Sequence, residues 1–126
     1  MIVLDTHVVI WWTSSPDLLS PAAAAAIADA SEIAIPAIVF WEISVLLRKQ
    51  RIQLEAPLQA WCDQVLAIPR VKCHALTAHI AIAADQLMMH PDPADRFIVA
   101  TALAARAKLI TKDGPIRALQ GVATIW

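Results

Sequence analysis

Short apolar runs alternate along this chain with longer stretches of helical period, and this alternation limits the fold more than any other feature. The runs cover 2–4, 32–35, 71–76 and 108–111, with a further one at 122–126; the helical stretches cover roughly 21–30, 38–50, 56–67, 77–88 and 94–106. Strands separated by helices need crossover connections, which makes neighbouring strands parallel and the crossovers right-handed. The expectation is an α/β fold with three layers, α/β/α, around a central, mainly parallel sheet of four to five strands. At 126 residues the chain makes one domain, 1–126, large enough for a real core. Ser20-Pro21 and Asp92-Pro93 are cap-then-proline helix starts, and the alanine run 22–26 is a strong helix former.

Four acids, Asp5, Glu42, Asp95 and Asp113, are expected where strands hand over to helices or loops. In a parallel sheet such places line one edge, outside the carboxyl ends of the strands. Like charges converging there repel unless a cation sits among them, and a hard divalent metal is the simplest such partner. A carboxylate metal site on an open α/β sheet points to phosphate-ester chemistry.

Other chemistries lack their residues. With only two glycines, Gly114 and Gly121, the chain has no dinucleotide fingerprint, P-loop or G-x-S-x-G elbow. Cys62 and Cys73 have no paired spacing and read as buried thiols of a cytoplasmic protein. No run approaches the ~20 apolar residues of a membrane span, and the amino terminus has no secretory pattern. The formal charge is −1, but removing the four acids leaves 7 acidic residues (11 − 4) against 10 basic ones. A mildly positive body is compatible with an anionic ligand. The 59% hydrophobic content exceeds what a monomer of this size needs and suggests a second chain on the surface.

Each acid also has a structural reading. Asp5 can cap the segment after it, and Glu42 can sit favourably near a helix amino terminus. Asp92, Pro93 and Asp95 make a capping-box-like start, in which Asp92 is assigned to the cap and Asp95 to the metal. Asp113-Gly114 is also a common turn pair. Arg96 is expected to pair with one of the acids or with phosphate, and Thr6 to offer a hydroxyl to phosphate or to a bound water. His7 reads as a packing histidine, and Trp11, Trp12, Trp41 and Trp126 as core or interface. Leu87, Met88 and Met89 read as core or interface too. Arg48, Lys49 and Arg51 read either as an RNA-backbone track or as cations at a helix carboxyl end.

Taken in order, Leu4-Asp5-Thr6-His7 with Trp11-Trp12, Trp41-Glu42-Ile43 with Arg48-Lys49-Gln50-Arg51, Asp92-Pro93-Ala94-Asp95-Arg96 leading into Ile98-Val99-Ala100-Thr101-Ala102, and Leu109-Ile110-Thr111-Lys112-Asp113 resemble the PIN-domain ribonucleases, and among them the VapC-type toxins of toxin–antitoxin pairs. The resemblance covers the whole chain. It implies an endoribonuclease in which Asp5, Glu42, Asp95 and Asp113 are the acidic quartet binding Mg²⁺ or Mn²⁺. Asp5 and Asp95 are expected closest to the metal, and Thr6, Asp92, Arg96 and Thr111 are candidates for supporting it or the substrate. Products with 5′-phosphate and 3′-hydroxyl ends, a homodimer and a cognate antitoxin over the active-site groove are implied as well. Family members often carry a serine shortly before the glutamate; here Ile38 and Val39 stand there, so a hydroxyl partner for Glu42 is not expected. Three other readings compete. A dehalogenase-type phosphatase needs an aspartate where His7 stands. A structure-specific DNA nuclease needs extra acids and a helical arch. A non-catalytic PIN-like binding module would use the acids only as caps.

Overall fold

The computed structural model describes residues 1–126. Its strands are β1 (Ile2–Leu4), β2 (Ile33–Pro36), β3 (Val71–His74), β4 (Lys108–Ile110) and β5 (Thr124–Ile125). They form one all-parallel sheet in the order β3-β2-β1-β4-β5. The helices are α1 (Thr6–Ser14), α2 (Pro21–Asp29), α3 (Ala37–Arg48), α4 (Leu58–Leu66), α5 (Ala78–Asp85), α6 (Pro93–Ala105) and α7 (Gly114–Arg117), with a 3₁₀ turn at Pro16–Leu18. Every residue of β1 and β2 is buried. Burial of both pleat faces requires helices on both sides of the sheet, which is why these strands read as unbroken apolar runs. The expected three-layer α/β/α architecture is borne out.

Strand lengths follow their partners. β3 ends at His74 rather than residue 76 because its neighbour β2 ends at Pro36, which is paired with His74. β5 is held only by Leu109 and Ile110 of β4, so the run 122–126 contributes a two-residue strand. Two helices went unseen in the sequence. Val8, Val9, Ile10, Trp11 and Trp12 favour strand locally, yet they are helical in α1, where Thr6, Val8, Val9 and Ile10 are buried. The four residues of α7 are too few for any periodicity to register.

The core gathers Val3, Leu4, Ile33, Ile35, Leu109 and Ile110 of the sheet with Val8, Val9, Val39, Ile43, Ile98 and Val99 of the helices. α6 lies across β1, β2 and β4 and packs on α3, which in turn packs on α1. This stacking brings the amino-terminal turns of α1 and α6 beside the middle of α3. Cys62 is half-buried and Cys73 exposed, and both are free, which corrects the reading of two buried thiols. Leu87 and Met89 pack on the core, whereas Met88 is 94% exposed. No helix is long and apolar enough to cross a membrane.

Candidate active site

Strand order reverses between β1 and β4: β2 and β3 lie to one side of this pair and β5 to the other. A crevice opens at such a point beyond the carboxyl ends of the strands. Asp5 directly follows β1, and Asp113 follows β4 after two intervening residues. The other two acids arrive differently from the expectation. Glu42 is the sixth residue of α3, more than a turn past the end of β2, and Asp95 lies in the first turn of α6, which follows α5 and a loop rather than a strand. Helix packing, not strand exit, delivers them. Together Asp5, Glu42, Asp92, Asp95 and Asp113 line one open basin of about 420 Å³, with His7, Trp11 and Lys112 on its rim.

Asp95 is the shared member of two groups of donor atoms. Those of Glu42, Asp92 and Asp95 lie within 4.8 Å of one another, and so do those of His90, Asp95 and Asp113. His90 Nε2 is 3.4 Å from Asp95 Oδ2, a contact that is ionic only when the imidazole is protonated. Asp5 stands outside both groups, yet it exerts the largest charge repulsion on Asp95. It is also the most constrained acid, 8% exposed. Its Oδ1 accepts from the Thr6 amide at 2.8 Å and its Oδ2 from the Thr111 hydroxyl at 2.6 Å. The Thr111 hydroxyl in turn accepts from the Asp113 amide at 3.0 Å, linking the ends of β1 and β4.

Three of the acids do cap helices. Asp5 precedes α1, Asp92 Oδ1 accepts from the Ala94 amide at 3.0 Å, and Asp113 Oδ2 accepts from the Ile116 amide at 2.9 Å. Capping fixes these side chains without removing their charge, so Asp92 both caps α6 and walls the basin. Glu42 and Asp95 cap nothing. The Thr6 hydroxyl donates to Glu42 Oε1. The hydroxyl partner that the local sequence before Glu42 lacks is thus supplied from α1, and this is the duty of Thr6.

Electrostatics give the basin its character. Burial pushes the Asp5 and Glu42 carboxyls above their ordinary range, against hydrogen bonds from Thr111 and Thr6 that pull the other way. Asp95 is pushed up to about 7, first by burial and then by the charges of Asp5, Asp92, Glu42 and Asp113. The protein alone therefore keeps a proton where it displays a cluster of acids. A divalent cation would relieve the same repulsion. The donors are carboxylate oxygens with one imidazole, half-buried and closely spaced, a set that fits a hard cation of the Mg²⁺ or Mn²⁺ type.

Two expectations are corrected. Arg96 does not line the basin. Its Nε donates to His90 O at 3.0 Å, its Nη2 to Met89 O at 2.7 Å, and its Nη1 reaches Ala84 O, Asp85 O and Leu87 O at 3.0–3.3 Å. The guanidinium gathers the carboxyl end of α5 and the loop that carries His90 and Asp92. Replacing Arg96 with alanine is expected to destabilise the fold by about 2–4 kcal/mol in thermal denaturation, and lysine to restore only part, because one ammonium cannot reach carbonyls spread around a planar fork. His7 is exposed rather than packed into the core, its ring 5.7 Å from Trp11. Lys112 Nζ lies 5.7 Å over the same indole, within the range of a cation–π contact. His90, which stands beside Asp95, was not anticipated from the sequence. Its only signal was its place two residues before a capping aspartate.

Three comparisons bear on this site. Residues 2–121 match the model of the PIN domain family. The chain is 39% identical over 129 aligned positions to Ribonuclease VapC22 of Mycobacterium tuberculosis, covering 99% of this chain and 98% of that one. Among solved structures, a toxin–antitoxin complex from Klebsiella pneumoniae superposes with TM-score 0.71 at 22% identity, covering 98% of this chain and 97% of that one. VapBC2 from Rickettsia felis, bound to a DNA fragment from its promoter, gives 0.67 at 17%, with the same coverage. At such identities the two structures share the fold.

Proposed function

The chain belongs to the PIN-domain family, and from that premise we propose that it is a metal-dependent endoribonuclease, the toxin of a toxin–antitoxin pair. The observation that carries this reading is the convergence of five carboxylates from the β1–α1 junction, α3, the cap and first turn of α6, and the β4–α7 turn on one half-buried basin, with Asp95 raised to about 7. Caps alone do not explain it, since Glu42 and Asp95 cap no helix. Asp5, Glu42, Asp95 and Asp113 are the proposed catalytic ligands of Mg²⁺, with Mn²⁺ as a substitute, and Asp92 and His90 are neighbours able to assist. RNA is the proposed substrate, an antitoxin and a second copy of the chain the proposed partners, and the cytoplasm the proposed location.

When bound, the divalent ion supplies charge neutralisation for a phosphodiester and lowers the pKa of an attacking water. The protein contributes arrangement. Thr111 holds Asp5 in place and ties it to the backbone of Asp113, so the two strand ends move as one. Thr6 holds one oxygen of Glu42 and leaves the other free of protein hydrogen bonds. Asp113 uses Oδ2 for its cap and leaves Oδ1 free. Asp95, raised to about 7, carries only part of its charge at neutral pH until a cation offsets its neighbours. Lys112 on the rim is a cation within reach of a phosphate entering the basin.

The test is cleavage of total RNA by the purified chain, with end mapping of the products. Cleavage is expected with Mg²⁺ or Mn²⁺, to be abolished by chelation, and to leave 5′-phosphate and 3′-hydroxyl ends. Cleavage that persists in chelator, or that yields 2′,3′-cyclic phosphates, would mean that the acids do not run the reaction.

A further inference from the structure

A second groove of about 320 Å³ adjoins the acidic basin, and Glu42 and Asp92 belong to the walls of both. The groove follows α3. Trp41, Val45 and Lys49 recur every four residues and form one stripe along the helix, with Arg51 beyond its end and Pro93 of α6 on the facing wall. Trp41 is the surprise on this surface. Of the expected places, core or interface, the core is excluded: Trp41 is 58% exposed, whereas Trp61 is buried and Trp11, Trp12 and Trp126 are half-buried. Lys49 and Arg51 are exposed and neither makes a salt bridge. Eight residues of helix separate Trp41 from Lys49, about 12 Å of axis at 1.5 Å per residue.

We propose that this groove carries the single-stranded RNA adjoining the cleaved bond, with a base stacked on the Trp41 indole and the backbone phosphates beyond it paired with Lys49 and Arg51. The assignment rests on the ribonuclease reading and adds to it the residues that hold the substrate. An indole followed by two unpaired cations is the arrangement that binds single strands, because every base has a face to stack and every nucleotide a phosphate to neutralise. The shared wall lets a strand lying along α3 run directly over the carboxylates. Stacking tolerates any base, so Trp41 supplies affinity rather than sequence choice.

The test is fluorescence anisotropy of a labelled, unstructured RNA oligonucleotide titrated with the full chain in chelator, where no cleavage intervenes. Trp41→Leu is expected to weaken binding about tenfold, and Trp41→Phe, which keeps a stacking face, by no more than about threefold. In the Lys49→Gln/Arg51→Gln double variant the slope of log K against log salt is expected to flatten by about 1.4, two contacts at about 0.7 each. Mn²⁺ titration should give wild-type affinity in all three proteins, and in cleavage assays the loss should fall on KM rather than kcat. Unchanged RNA affinity in Trp41→Leu, or an unchanged salt slope in the double variant, overturns the assignment and leaves the groove to a protein partner. If the wild type cleaves RNA while the variants bind normally, only the groove assignment falls. If the wild type neither binds nor cleaves RNA, the ribonuclease reading falls with it.

Discussion

Replacing Asp5 with asparagine is expected to lower RNA cleavage by about a thousandfold or more while the melting temperature stays level or rises. The loss in rate follows from removing a carboxylate from a site whose chemistry is electrostatic, where one group is commonly worth 10²–10³ and a metal ligand more. The gain in stability follows from burial. Asp5 is 8% exposed and burial holds its carboxyl above its ordinary range, so folding carries a cost for its ionised form. Asparagine keeps an acceptor for the Thr6 amide and offers an amide to the Thr111 hydroxyl, which can accept as well as donate. Asp5→Ala makes the contrast. It strands both donors and is expected to lose about 1–3 kcal/mol. The check is cleavage rate and thermal melting on the same preparations. Asparagine activity within about tenfold of wild type at saturating Mg²⁺ would remove Asp5 from the reaction.

The second large effect is a stability profile that metal inverts. Asp95 has an ordinary pKa of 3.8 and is raised to about 7 in the folded chain. Between these values the folded state holds a proton that the unfolded state has released. Its stabilisation is therefore complete below about pH 4 and is lost as pH rises through about 7. Asp5 and Glu42, also raised by burial, act in the same direction. Metal-free protein is expected to melt about 5 °C or more lower at pH 8 than at pH 5. A divalent ion binds the ionised cluster and so stabilises most where the metal-free protein is weakest, by about 2.7 kcal/mol at a hundred times its Kd. Differential scanning calorimetry across pH, with and without Mn²⁺, reads both limbs, and Asp95→Asn should flatten the metal-free curve. A metal-free melting temperature that rises between pH 5 and 8 would contradict the cluster as described.

Much of this was legible before folding was considered. β1 and β2 read as strands because a strand buried on both faces must be apolar throughout, and Asp92-Pro93 marks a helix start through rules that involve only adjacent residues. The four acids stood out because all were expected at strand exits, which a parallel sheet lines up along one edge. α1 was not legible, since its valines, isoleucine and tryptophans favour strand locally and become helical through burial against α3 and the sheet. Arg96 was misread for a related reason. Its position beside Asp95 suggested an acid partner, while the carbonyls it binds become available only where the last turn of α5 ends beside it.

The residues themselves determined the fold class and the chemical character of the site, because burial pattern, capping and charge are properties of short contiguous stretches. Which groups meet was decided by the tertiary structure alone. Thr6 reaches Glu42 across 36 positions and Thr111 reaches Asp5 across 106, and neither pairing leaves a local trace. Strand order and helix packing create those contacts. They make Asp92 a wall of the basin as well as a cap, bring His90 against Asp95, and leave Trp41 in solvent beside the carboxylates.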